Sequence, residues 1–135
     1  INMLTPSAFL ISIENEEMKM SPTVELTRFK VKEGKTEAVD QWMKLLNENM
    51  SSVLLTLNDE KMYIETIFRE EIEGIEYLYW YSVQGKGGIE VQDSHHDIDK
   101  QHLAYWNECI DQDFRPIDLK TEVVMIQENI LAAME

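Results

Sequence analysis

The chain has 135 residues, 44% of them apolar, and carries 26 acidic against 12 basic side chains for a net charge of −14. That length suits one domain, which at this size buries about two thirds of its extended surface. So acidic a surface excludes nucleic acid and anionic membranes as partners, because neither gains counterion release or surface attraction from it.

The single cysteine, Cys109, excludes a disulfide within the chain and suits a reducing compartment. Apolar runs such as Ala8–Ile11 and Val53–Leu55 fall far short of the ~20 residues of a membrane span. The N-terminal stretch has no basic residues ahead of its apolar ones, so no signal peptide is expected and the cytoplasm is the expected location. Residues 1–22 read as an N-terminal extension and 23–135 as one domain.

Thr23 to Val31 alternates and is rich in β-formers, which predicts strand one. Lys32-Glu33-Gly34-Lys35 is a turn. Val39, Trp42, Met43, Leu46, Met50 and Val53 then recur at spacings of three and four, which predicts one helix with an apolar stripe, ending near Leu57. Lys61 to Glu70 is strand two, Glu71-Ile72-Glu73-Gly74 a hairpin turn, and Ile75 to Val83 strand three. On strand three, alternation places Tyr77, Tyr79 and Tyr81 on one face and Leu78 and Trp80 on the other. Gly85-Lys86-Gly87-Gly88 is a flexible connector that lacks the spacing of a phosphate loop. The second helix is expected from Ser94 to about Asp111, strand four from Leu119 to Ile126, and a short helix at the C-terminus. The order strand, helix, strand, strand, helix, strand is the ferredoxin-like α+β pattern: a four-stranded antiparallel sheet with helices on one face and the other face open.

Three features could carry chemistry. On the second helix, Ile98, His102, Trp106, Cys109 and Ile110 share one arc at 100° per residue, with His95 nearly in line and Asp99 at the edge. His102 and His95 are thus the candidate acid/base residues, both expected to face the sheet. Two turns separate them, about 10 Å by helix rise, too far to share an ion, and no metal or cofactor site is expected. Trp80 and Trp106 are placed to line a ligand pocket between the sheet and this helix. Finally, Glu25, Arg28 and Glu65 put charge inside apolar strands, where a closed sheet face would make them part of a polar cavity. Cys109 reads as an inert structural thiol.

The phrases ELTRFKVKEGK, KMYIETIFRE, EYLYWYSVQG, HHDIDKQHLAYW and LKTEVVMI, in this order, resemble a small bacterial family of unknown function and, more broadly, the dimeric α/β barrel superfamily of antibiotic-biosynthesis and haem-degrading monooxygenases. The resemblance covers about residues 23–127. It implies a homodimer whose sheets pack face to face, with a cleft between the sheet and the second helix of each subunit. The haem-degrading members use an Asn on strand one, a Trp on strand three and a His on the second helix. Trp80 and a histidine of 95, 96 or 102 match by element, whereas strand one carries Glu25, Thr27 and Arg28 in place of the Asn. A small-molecule ligand bound in the cleft is the first expectation. A monooxygenase- or isomerase-type enzyme and a purely structural module are the alternatives.

Overall fold

The structure is a computed structural model that describes residues 1–2 and 21–134, so the expected extension over residues 1–22 falls almost wholly outside the described residues. Its elements are β1 (Thr23–Lys30), α1 (Thr36–Glu48), α2 (Met50–Asp59), β2 (Met62–Ile72), β3 (Ile75–Gln84), α3 (Asp97–Cys109), β4 (Ile117–Asp118) and α4 (Glu128–Ala133). All strands are antiparallel and lie in the order β2-β3-β1-β4, an α+β fold with the expected ferredoxin-like element order. No helix among the described residues is long and apolar enough to cross a membrane.

Register decides which side chains meet the helices. Thr27 pairs with Trp80, Phe29 with Leu78 and Glu25 with Ser82, and Glu65 and Ile67 of β2 align with Ser82 and Trp80. These residues share the inner face, because side chains alternate along a strand. Phe29, Leu78 and Trp80 are buried there against Val39, Trp42 and Leu46 of α1 and Ile98 and Cys109 of α3. The outer face carries Leu26 opposite Tyr81, Arg28 opposite Tyr79 and Lys30 opposite Tyr77. The β2–β3 hairpin closes through Glu73 and Gly74, at φ 50° and 80°. Two left-handed residues in a row match the right-handed twist of the strands, and glycine takes the second at no steric cost.

Three elements differ from the sequence expectation. The first helix is two helices, broken at Asn49, whose side-chain amide donates to the Leu45 carbonyl at 2.8 Å and competes with the helix ladder. Met50, expected on the buried stripe, is exposed as a result. The helix expected from Ser94 starts at Asp97, and the Ser94 hydroxyl instead accepts the His96 N–H. Strand four pairs only at Ile117 and Asp118. Residues 119–126 run beside β1, held by Leu119 N–H to the Leu26 carbonyl and by the Thr121 hydroxyl to the Val24 carbonyl. Val123, Val124 and Met125 are exposed. Strand preference is largely side-chain packing, and among the described residues no neighbouring strand pairs with those three to complete the ladder.

Candidate functional site

The polar residues of the inner layer converge where α2, α3, β2 and β3 meet. His102 lies on the inward arc of α3 and is fully buried. Its Nδ1 accepts the indole N–H of Trp42 at 3.1 Å, which leaves the ring proton on Nε2, facing the Asn2 carbonyl at 3.1 Å. The rings of Trp42, Trp80 and His102 form a triangle with centroid separations of 5.5–5.9 Å. Burial pushes the His102 pKa down to about 3, against the pull of the Asn2 carbonyl, so the imidazole is neutral near pH 7.

Glu65 reaches this layer from β2. The Trp80 indole N–H donates to its Oε2 at 2.6 Å, and the side chain is only 5% exposed. Burial raises its pKa to about 8, even though the Ile1 amino group and the Trp80 hydrogen bond both favour the ionised form. Glu65 is therefore mostly a neutral acid at pH 7. Two further carboxylates join it. Glu60 follows α2 and Asp99 lies one turn before His102 on α3, and each side chain is 1% exposed. Burial also raises the Glu60 pKa. Glu60 Oε2 and both carboxylate oxygens of Asp99 are buried without a hydrogen bond.

The space between these groups holds the first residue. The Ile1 amino nitrogen donates to Thr56 Oγ1 at 2.9 Å and to Glu60 Oε1, and lies 3.5 Å from Asp99 Oδ1 and 3.8 Å from Glu65 Oε1. The Ile1 side chain is buried in the same cluster as Trp42, Trp80 and Ile98.

The glycine-rich connector fixes the Glu60 end. Gly85 N–H donates to the Lys61 carbonyl at 2.7 Å, Gln84 Nε2 to the Glu60 carbonyl at 2.9 Å, and Ile89 N–H to the Asp59 carbonyl at 3.0 Å. A Cβ on Gly88 would meet the Glu60 carbonyl oxygen at 2.1 Å. The connector is thus a clasp over the turn that carries Glu60, more specific than the plain linker its composition suggests.

The structure brings together His102, Trp80 and Glu65 from the residues singled out in the sequence. The expectation that His95 faces the sheet is corrected: it precedes α3 and is exposed, because the helix begins later than its spacing assumed. Trp106 packs half-buried at the flank of the core. Glu25 shares the inner face but lies two strands across from Glu65, about 10 Å by strand spacing. Burial and the neighbouring Asp118 raise its pKa. Arg28 points to the open face, its guanidinium 4.7 Å from the Tyr77 ring centroid. Cys109 is buried and its thiol is pushed up to about 11, the state of a structural cysteine.

Sequence reasoning missed Thr56 and Glu60 and left Asp99 in a secondary role. The signal was there for Asp99, three residues before His102, and for Thr56 and Glu60, four apart across the end of a helix. No group of three His, Cys, Asp or Glu among the described residues is arranged to hold a metal ion. A separate groove of about 750 Å³ runs between β1 and the 118–126 segment, lined by Val24, Glu25, Leu26, Leu119, Thr121 and Val124 among others.

No curated protein and no solved structure shows detectable similarity to the chain. Residues 22–132, which contain every element from β1 to most of α4 and all the site residues except Ile1, match the profile of a family of unknown function, DUF6176, and the chain belongs to that family.

Proposed function

We propose that the protein is a small-ligand-binding module that works as a homodimer, with the ligand seated between the sheet and α3 beside Trp80, His102, Glu65 and Asp99. One observation carries this reading. Three carboxylates and an imidazole are buried in a layer that apolar side chains would fill at lower cost, and several of their acceptors have no hydrogen bond. An unsatisfied buried polar group costs about 1–3 kcal/mol, so a fold does not need such a cluster for its own stability. The state of His102 supports binding over turnover. An imidazole with a pKa of about 3, its Nδ1 already occupied by Trp42, is a poor proton acceptor near neutrality.

The homodimer rests on the open face. Leu26, Tyr79, Tyr81 and the 55%-exposed Phe68 form an apolar patch there, with Arg28 and Glu70 beside it as a pair of opposite charges that a two-fold axis could match across copies. The element order of the dimeric α/β barrels supports the same arrangement.

The three indole N–H signals test the site reading. In ¹H–¹⁵N spectra of the full chain, pools of small cationic, neutral and anionic fragments are titrated in. Saturable shifts of the Trp42 and Trp80 indoles, with Trp106 nearly still, are expected from at least one pool. Movement of none of the three, or of Trp106 alone, overturns the reading.

A further inference from the structure

We propose that residues 85–96 are the lid of this chamber, latched by His96 on Asp59, and that a ligand enters when they lift from the turn that carries Glu60. The inference rests on the site reading above and adds how the site is reached. Glu60, Asp99 and His102 are almost fully buried, so an element must move before a molecule can seat beside them. The strands are fixed by their ladders, and α1 and α3 by the core they share. Residues 85–96 hold only the 3₁₀ turn Val91–Asp93, with Val91 as their buried apolar anchor. Lys86, Gly87, Ile89 and Glu90 are exposed, so little burial opposes their lifting. Gly88 lies directly on Glu60, where a Cβ would meet the Glu60 Cα at 2.8 Å and the carbonyl closer still.

Asp59, the last residue of α2, is gripped twice. Its carbonyl accepts the Ile89 N–H at 3.0 Å, and its Oδ2 accepts from His96 Nε2 at 2.6 Å. Gly85 N–H, bonded to the Lys61 carbonyl at 2.7 Å, holds the other end. Both His96 and Asp59 are partly exposed, and such a pair favours the closed state by a factor of about five at most. That bias suits a latch, because it can be undone without unfolding the chain. Gly87 stands at φ 84° with nothing within 4 Å of a Cβ added there, so its left-handed backbone serves the closed path itself. His96 carries the opposite hinge, because its carbonyl accepts the Asp99 and Lys100 N–H groups of the first turn of α3. Lifting the lid therefore uncovers Glu60 and loosens the turn bearing Asp99, with the sheet intact.

The test needs no ligand. Hydrogen–deuterium exchange in ¹H–¹⁵N spectra of the full chain follows the Gly85 and Ile89 amides, the Trp80 indole, whose N–H bonds Glu65 beside Glu60, and the ladder amides of β1 and β3. His96→Ala should speed the first three together, about two- to fivefold. Gly87→Ala should speed them at least about fivefold, because its methyl meets nothing and acts only by disfavouring the left-handed backbone. The ladder amides should keep their wild-type rates in both variants. A rise shared equally by the ladder amides is global destabilisation and overturns the lid, as does no change in any signal. A Trp80 indole that stays protected while Gly85 and Ile89 quicken puts the entrance elsewhere and overturns it too. If the lid fails while fragments still shift the Trp42 and Trp80 indoles, the site reading stands. If the lid opens as expected and no fragment shifts them, the site reading falls and ligand entry with it.

Discussion

Adjacent residues of β3 make nearly the same bond in opposite surroundings. Trp80 donates to Glu65 at 2.6 Å on the helix-covered face, and Tyr79 donates to Glu70 at 2.6 Å on the open one. Burial separates them. Glu65 is sealed beneath α3, and its pKa rises to about 8, while Glu70 is exposed. Geometry alone would rank the two contacts as equals. What each contributes depends on whether water can replace the donor when it is lost.

The largest effect expected from breaking this contrast lies at Trp42. Trp42→Ala removes a buried ring and the only donor to His102 Nδ1 among the described residues, and should cost about 3–5 kcal/mol in denaturant unfolding. Tyr81→Ala on the open face should cost far less at low protein concentration. If the two cost the same in dilute solution, the faces are not different in kind.

Trp80→Phe comes next. It keeps most of the packing and removes the N–H, leaving Glu65 Oε2 buried without a partner. A loss of about 1–3 kcal/mol at pH 8 is expected, smaller at pH 5, where the folded protein holds Glu65 protonated. Gly88→Ala belongs in the same range. Its new methyl meets the Glu60 carbonyl, so the clasp must open, at about 1–3 kcal/mol. An unchanged melting temperature for Gly88→Ala would mean that the clasp does not hold Glu60 in place.

The buried face should also shape the pH profile. Glu65, raised from 4.5 to about 8, contributes stability that is complete below pH 4.5 and lost as pH rises through 8. His102, lowered from 6.5 to about 3, contributes stability that is complete above pH 6.5 and lost as pH falls through 3. Between 4.5 and 6.5 the two slopes oppose and nearly cancel. Above 6.5 the Glu65 slope stands alone, and stability should decline toward pH 8 by about 1 kcal/mol per pH unit. Glu60 and Glu25, also raised by burial, contribute a decline of the same sign above pH 4.5. Glu65→Gln should flatten it. A Gln variant with the wild-type slope between pH 6.5 and 8 would remove Glu65 as its source.

The sequence made one of these faces legible and the other only in part. Period-two alternation placed the tyrosines opposite Leu78 and Trp80, because that signal is local and needs no partner strand. The 3.6-residue period placed His102 inward for the same reason. His95 lies outside the period, because the chain spends Val91–Asp93 in a 3₁₀ turn and α3 begins only at Asp97. Glu60 was legible only in its four-residue spacing from Thr56, because the contacts of the turn that carries it, with Gln84 and the glycine-rich connector, are distant in sequence. The 119–126 segment has the composition of a strand, but among the described residues the β1 ladder pairs only Ile117 and Asp118, and composition does not report which neighbours a strand finds.

The smallest effect expected is the most diagnostic for the open face. Tyr79→Phe deletes an exposed hydroxyl whose bond to Glu70 water can replace, so dilute protein should lose no more than about 0.5 kcal/mol. Should a second copy cover the face, the same hydroxyl and carboxylate become buried at high concentration, and the cost must grow with it. Sedimentation mass and unfolding midpoint, followed together for Tyr79→Phe and for Phe68→Arg across a concentration series, separate the cases. A dimer predicts a concentration-dependent midpoint that Phe68→Arg abolishes and Tyr79→Phe lowers. A midpoint flat in concentration for the unsubstituted chain would leave the two faces of β3 as different as they are in a single copy, with the Tyr79 hydroxyl between Glu70, Arg28 and water.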